Sequence, residues 1–215
     1  MRIGIFGGTF DPIHLGHVNL INTSTKLFGL KKVIILPNLN PYYKENSIKN
    51  FEHINNMINM SLNLNCDFEI SDLEKDPAKK HYSYNSLKEI ISINGNHNYY
   101  FFLGSDTSLN FNEWYKYSDL LNLVNVVFIS RPKFKFSPDF IDTKIYSRKL
   151  NYKGMLIYYN NITKMKIIRL SLKKEINISS KELRLMLKSF DEKKVKRFLS
   201  NQVYDYIIKN KLYFK

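Results

Sequence analysis

The sequence predicts an α/β fold: a doubly wound, Rossmann-like parallel sheet with helices on both faces and a small helical C-terminal part. Three observations predict it. Short apolar runs alternate with longer helix-period segments, which calls for parallel strands joined by helical crossovers. The runs are apolar throughout rather than alternating, as in strands covered on both faces. Glycine-rich or polar turns follow the runs directly, where such folds hold their ligands.

The first run, Ile3-Gly4-Ile5-Phe6, reads as a buried strand. A Gly-rich turn leads into a helix over 15–28, with Leu20, Ile21, Leu27 and Phe28 as apolar markers and Gly29 as C-cap. Lys32 to Leu36 is a second strand, stopped by Pro37. Helices are expected over 51–64 and 83–92, with a short strand, Phe68-Glu69-Ile70, between them. Tyr99 to Leu103 is a strand running into Gly104-Ser105-Asp106, and Val124 to Ser130 is another. The stretch 132–177 reads as an extended connection or insertion carrying one strand at Met155 to Tyr159. Two helices follow, over 179–188 and 201–210. The organisation expected is one domain over 1–215: a core over 1–131, the connection, and C-terminal helices over 178–215 that complete the nucleotide site.

The chain has 215 residues, 44% hydrophobic and 24% charged, enough to bury a sizeable core. No apolar run is long enough to span a membrane. The N-terminus opens straight into Met1-Arg2-Ile3-Gly4, without the pattern of a secretory signal. Cys66 is the single cysteine, so no intramolecular disulfide can form. The expectation is a cytoplasmic protein. The net charge of +14 would suit a polyanion, but the lysines are dispersed through a chain rich in Asn, Lys, Ile and Tyr. This argues against nucleic acid as the main ligand and leaves a field that favours small anions. Homo-oligomerisation is left open.

The strongest motif is Gly7-Gly8-Thr9-Phe10-Asp11-Pro12-Ile13-His14-Leu15-Gly16-His17, which follows the first strand and opens a helix. Glycines 7 and 8 allow close approach of the backbone to a ligand, and the helix start adds free amides and partial positive charge, which suits phosphate. His14 and His17, three apart, can face one point and donate to charge building on a transferring phosphate; Thr9 adds a further donor. Taken alone, a Gly-Gly turn is weak, and two histidines at this spacing also fit a metal half-site or chance. No Cys, Asp or Glu at suitable spacing completes a metal site. The motif is neither a Walker loop nor a GxGxxG fingerprint. Near the C-terminus, Ser179 or Ser180 can cap a helix whose amides face an anion, and Arg184 offers a planar fork of donors.

The opening motif resembles that of the nucleotidyltransferases with a His-x-Gly-His signature, and the whole chain is similar to the bacterial nicotinate-nucleotide adenylyltransferases. Pro37-Asn38 with Pro41 and Lys44 resembles that family's acceptor loop. Tyr82-Ser83 before Leu87 resembles its Ser-Tyr-Thr segment, and Leu103-Gly104-Ser105-Asp106 with Trp114-Tyr115 its Gly-x-Asp…Trp block. Arg131-Pro132, Ile178-Ser179-Ser180 with Arg184, and the tail through Leu212-Tyr213 follow in order, so the likeness spans 2–131 and 176–213.

The resemblance implies a transfer of AMP from ATP, with Mg²⁺ carried by ATP, onto nicotinate mononucleotide. On it, Gly8, Thr9, Phe10, His14 and His17 line ATP, with His17 on the attacked α-phosphate. Ile178, Ser179, Ser180 and Arg184 receive the outgoing pyrophosphate, and Gly104 and Asp106 the ribose. Trp114 stacks on the nicotinate ring, the alternative being core packing. Ser83 and Tyr115 meet the nicotinate carboxylate through backbone amides, and Asn38, Lys44 and Arg131 serve the acceptor side. Four places depart from the pattern: Pro41-Tyr42-Tyr43-Lys44 lacks a histidine, the arginine expected in the next helix falls at Ile54 beside His53, Ser83 replaces threonine, and the connection over 132–177 is longer than expected. The alternatives are another nucleotidyltransferase with a different phosphorylated acceptor, or a nonenzymatic RNA-binding protein.

Overall fold

The computed structural model describes residues 1–39, 50–130, 136–151, 154–172, 176–189 and 191–214. Its centre is one eight-stranded sheet. The strands are β1 (Arg2–Gly8), β2 (Lys32–Pro37), β3 (Asp67–Ile70), β4 (Asn98–Gly104), β5 (Asn125–Ile129), β6 (Tyr146–Asn151), β7 (Met155–Asn160) and β8 (Lys166–Leu170), in the order β3-β2-β1-β4-β5-β8-β7-β6. The six strands from β3 to β8 in that order pair in parallel; β7 and β6 pair antiparallel. The α/β, mostly parallel architecture is therefore as expected, with an antiparallel hairpin added at one edge.

Successive residues of each central strand feed opposite faces. Phe6, Val33, Ile35, Tyr100, Phe102 and Val127 pack on one side; Ile3, Ile5, Ile34, Phe101, Val126 and Phe128 pack on the other. Helices α1 (Leu15–Phe28), α2 (Phe51–Ser61), α5 (Ser180–Lys188), α6 (Glu192–Val195) and α7 (Asn201–Lys209) bury their apolar residues in the first layer. Helices α3 (Ser83–Asn94) and α4 (Tyr117–Leu123), with a 3-10 helix over Ser105–Glu113, bury theirs in the second. Gly29 ends α1 in the left-handed region, φ 60°, where its amide reaches back to Thr25 O.

The stretch 132–177 needs correcting. The strand read at Met155 is β7, but β6 and β8 stand beside it unanticipated, and β8 inserts between β5 and β7 in parallel with β5. The C-terminal part also holds α6 between the two helices expected there. Ile54, where a basic residue was sought, is fully buried in the first core layer. Its neighbour His53 instead lies 2.9 Å from the Tyr206 hydroxyl on α7. Among the described residues, no helix is long and apolar enough to cross a membrane.

Strand connections run outward in both directions from β1 and β4, so the switch in strand order lies between them. A crevice for a ligand is therefore expected beyond Gly8 and Gly104, at the carboxyl ends of these two strands.

Candidate active site

At the end of β1 the chain turns through Thr9 and Phe10. Phe10 is a non-glycine residue at φ 47°, a strained conformation that surrounding packing must enforce. Its ring is buried and lies 5.1 Å from that of His17. The Asp11-Pro12 peptide is cis. His14 then serves as N-cap of α1, with extended φ and ψ.

The two histidines cap each other. His14 Nδ1 accepts the His17 backbone N–H, and His17 Nδ1 accepts that of His14, each at 3.3 Å. Their rings stack with centroids 3.7 Å apart. Because each Nδ1 accepts, each neutral ring carries its hydrogen on Nε2. The pair thus presents two N–H donors of fixed tautomer, one ring buried and the other half-buried. Gly16 makes this stacking fit, since a Cβ there would stand 2.9 Å from His14 Nδ1 and 3.2 Å from Ile176 O.

The C-terminal segment closes on this loop from the other end of the sequence. Ser180 Oγ donates to Pro12 O at 3.0 Å, and Arg184 Nη1 donates to Asp11 O at 2.6 Å. The Leu15 N–H donates to Phe198 O at 2.8 Å. Ser180, Arg184, Asp11 and His14 are all buried. Arg184 Nη1 also stands 3.7 Å from Asp11 Oδ2, while the Tyr213 hydroxyl donates to Asp11 Oδ1 at 2.5 Å. Burial first, and the Asp11 charge second, push the Tyr213 phenol well above its ordinary range.

The serine pair expected to meet pyrophosphate opens α5, and both hydroxyls are hydrogen-bonded within the protein. Ser179 is the N-cap of α5: its Oγ accepts the Glu182 N–H at 3.2 Å and lies 2.7 Å from Glu182 Oε2, which also accepts the Ser179 N–H. The Ser180 hydroxyl is committed to Pro12. Both hydroxyls hold protein in place, so an anion here would meet the first-turn amides of α5 and the Arg184 fork. Ile178 precedes them, half-buried against the first core layer.

On the other side of the crevice, the Asn38 N–H donates to Gly8 O at 2.9 Å, stitching the exit of β2 to the opening motif. Gly104 ends β4, and Asp106 sits half-buried in the first turn of the 3-10 helix. Ser83 is the first residue of α3, whose N-cap, Tyr82, makes no side-chain cap bond. Its neighbours Tyr82 and Tyr84 lie against Tyr115, with ring centroids 4.6 and 6.3 Å away. Trp114 is half-buried with its ring 5.1 Å from Phe111, so core packing takes part of its surface. The structure therefore sets the residues on either side of Ser83 against Tyr115, and gathers Thr9, Phe10, His14, His17, Ser180 and Arg184 at the opening motif. Lys44 and Arg131 lie outside the described residues.

Glu74 is a buried carboxyl beside Asn38 that sequence reasoning missed. It is 3% exposed and accepts the Ser86 hydroxyl at 2.7 Å, with Asn38 also bonding to its carboxylate. Burial pushes its carboxyl above the ordinary range, against the opposing pull of the Ser86 bond, nearby His81 and Asn38. Asp11 and Tyr213 were likewise quoted only as motif letters. Among the described residues, no three His, Cys, Asp or Glu side chains gather as a metal site.

Residues 5–186 match the family model described as cytidylyltransferase-like. A relative from Clostridium botulinum (strain Okra), named probable nicotinate-nucleotide adenylyltransferase, is 33% identical over 211 residues, covering 97% of each chain. The Plasmodium falciparum nicotinic acid mononucleotide adenylyltransferase complexed with NaAD superposes with a TM-score of 0.73 at 25% identity, covering 99% of this chain and 97% of that one. A putative nicotinate-nucleotide adenylyltransferase from Vibrio parahaemolyticus, 17% identical, shares the fold with a TM-score of 0.61 over 100% of this chain and 96% of its own.

Proposed function

The chain belongs to the cytidylyltransferase-like family, and within it to the nicotinate-nucleotide adenylyltransferases; on that premise we propose how it joins the AMP part of ATP to nicotinate mononucleotide. A phosphate oxygen of the acceptor attacks the α-phosphorus of ATP. The new P–O bond forms as the bond to the β-phosphate oxygen breaks, and pyrophosphate leaves with that electron pair. The acceptor phosphate is already an anionic nucleophile at neutral pH, so no general base is required. What the protein supplies is alignment and charge stabilisation.

One observation carries the assignment of roles: the two stacked imidazoles and the buried Arg184 converge on a single loop, Thr9 to His17. The Nε2–H groups of His14 and His17 would donate to phosphate oxygens as negative charge develops, His17 at the attacked phosphorus. Arg184 and the α5 amides would receive the pyrophosphate. Gly8, Thr9 and Phe10 would shape the floor of the ATP site, with Gly104 and Asp106 at the ribose. Mg²⁺ would arrive as part of MgATP, held by phosphate oxygens and water. Opposite, Asn38 would flank the acceptor, Trp114 would stack on its ring, and the amides of Ser83 and Tyr115 would meet its carboxylate. Lys44 and Arg131 would neutralise phosphate charge.

The test is to incubate the protein with MgATP and either nicotinate or nicotinamide mononucleotide, measuring pyrophosphate and dinucleotide. Product from the acid at a rate well above the amide is expected. No product from either acceptor refutes the function, and equal rates refute carboxylate recognition.

A further inference from the structure

Glu74 lies on the connection from β3 to α3 and bonds to both segments that carry the acceptor side of the crevice. Its buried carboxyl accepts the hydroxyl of Ser86, one turn into α3, at 2.7 Å, and bonds to the Asn38 side chain at the exit of β2. Its backbone carbonyl accepts the Leu39 N–H at 3.3 Å. Asn38 donates its own N–H to Gly8 O, so one chain of bonds runs from α3 through Glu74 to the end of β1. The connection is anchored without this carboxyl: the Ser71 N–H donates to Ile35 O at 2.8 Å, the Ala78 N–H donates to Asp76 Oδ1 at 2.9 Å, and His81 Nε2 lies 2.8 Å from Asp76 O. A carboxyl is costly to bury unless its oxygens are used. Here they are used on two segments that no strand pairing joins.

We propose that Glu74 is a positioning residue of the acceptor site, tying the first turns of α3 to Asn38 so that the Ser83 amide keeps its place relative to the exit of β2. The identity of the acceptor rests on the function proposed above. Tyr82, the N-cap of α3, makes no side-chain cap bond, so the start of this helix is not fixed by its own cap. The Ser86–Glu74 bond fixes it from outside. Ser86 Oγ also lies 3.5 Å from Tyr82 O, a local partner within the helix to which the hydroxyl turns once the carboxyl is gone. The helix then keeps its own bonds but loses its link to Asn38. Such a change falls on the acceptor and spares the loop from Thr9 to His17.

The experiment measures kcat and the separate KM values for nicotinate mononucleotide and MgATP, with thermal midpoints, in the full chain and four variants. Glu74→Ala removes both side-chain contacts, and Ser86→Ala removes the α3 half alone. Glu74→Gln keeps an acceptor for Ser86 and offers a donor to an Asn38 amide turned round. Ile90→Val trims a buried residue further along α3 and serves as the stability control. Glu74→Ala should raise the acceptor KM about tenfold, the low end of what a hydrogen bond to a charged group is worth. Ser86→Ala should raise it about threefold, and in both the MgATP KM should stay within twofold and kcat within threefold. Glu74→Gln should restore the acceptor KM to within threefold of the parent, and Ile90→Val should lower the midpoint with both KM values unmoved. If Glu74→Ala does not fold, the acceptor KM of Ser86→Ala decides. An acceptor KM unchanged in Ser86→Ala or in folded Glu74→Ala, KM values for both substrates rising together, no rescue by Glu74→Gln, or an equal rise in Ile90→Val overturns the role of Glu74 alone. A parent chain that makes no dinucleotide removes the proposed function and this role with it.

Discussion

Gly16→Ala is the change whose consequences can be worked most directly from geometry. A Cβ at this position would meet His14 Nδ1 at 2.9 Å, His14 Cε1 at 3.0 Å and Ile176 O at 3.2 Å, against an ordinary contact of at least 3.4 Å. One obstacle is backbone, so the imidazole must retreat, by about half an ångström. Its Nδ1 accepts the His17 N–H at 3.3 Å, so a retreat of that size breaks half of the reciprocal cap. Loss of an N-cap costs about 1 kcal/mol, and residual overpacking adds about 1–2 kcal/mol. For a chain of this size, each kcal/mol lowers the melting midpoint by about 2–4 °C, so a fall of about 4–12 °C is expected. In the proposed role, the ring would also leave its alignment with the reacting phosphate, where a displacement near 1 Å costs about a hundredfold; turnover should therefore fall about ten- to a hundredfold. Both readouts are available from a thermal melt and a pyrophosphate-release assay with MgATP and nicotinate mononucleotide. Gly29→Ala is the comparator. Its φ of 60° makes it costly for stability, but its Cβ would meet only Arg2 Nη1, at 3.4 Å. It should melt lower and turn over normally. Turnover of Gly16→Ala within threefold of the parent would refute the claim that ring stacking positions His14.

His17→Ala removes one developing-charge donor and should lower turnover by about two to three orders of magnitude; a change smaller than threefold removes His17 from the chemistry. Ser83→Pro should keep the fold, because proline is tolerated at the first helical position and Tyr82 already has the extended conformation proline requires of its predecessor. It deletes the amide donor, so discrimination between acid and amide acceptors should shrink while Ser83→Ala retains it, and equal selectivity in both variants contradicts amide recognition. Glu74→Gln tests the buried carboxyl through linkage. Its folded pKa is raised, so its stabilising contribution is present below the ordinary carboxylate range and is lost as pH rises through the folded value. The thermal midpoint of the variant relative to the parent should therefore improve from pH 4 to pH 7.5, and a decline over that interval would show the carboxylate to be stabilised by Ser86, Asn38 and His81 instead.

Much of the central sheet was legible because its strands are almost purely apolar and each ends in a glycine, proline or polar turn. Lys32 to Leu36 and Tyr99 to Leu103 have that form. β6 and β8 do not. Tyr146–Asn151 carries Arg148 and Lys149 on an edge strand, which needs no continuous apolar run. Lys166–Leu170 is short and interrupted by Arg169, and it becomes a strand through its pairing with β5 and β7 on either side. Such tertiary support has no local signature.

The site divides in the same way, and the division says what a motif is for. His14, Gly16 and His17 act within one turn of helix, so their spacing carried their relation: the reciprocal cap, the stacked rings and the glycine that admits them all lie within four residues. Asp11 looked like part of that same run, yet its partners are Arg184 and Tyr213, more than 170 residues away. Ser180, which the resemblance sets beside the pyrophosphate, commits its hydroxyl to Pro12, 168 residues upstream. A buried hydroxyl, guanidinium or phenol cannot be left without a partner, so each of these groups had to be satisfied somewhere. The fold satisfied them by binding the C-terminal helices to the loop from Thr9 to His17. Two signatures at opposite ends of the chain are then halves of one structural unit. Changes at Ser180, Arg184 or Tyr213 should consequently disturb the His14–His17 loop as well as the anion contacts, and their effects on ATP affinity should fail to add when combined.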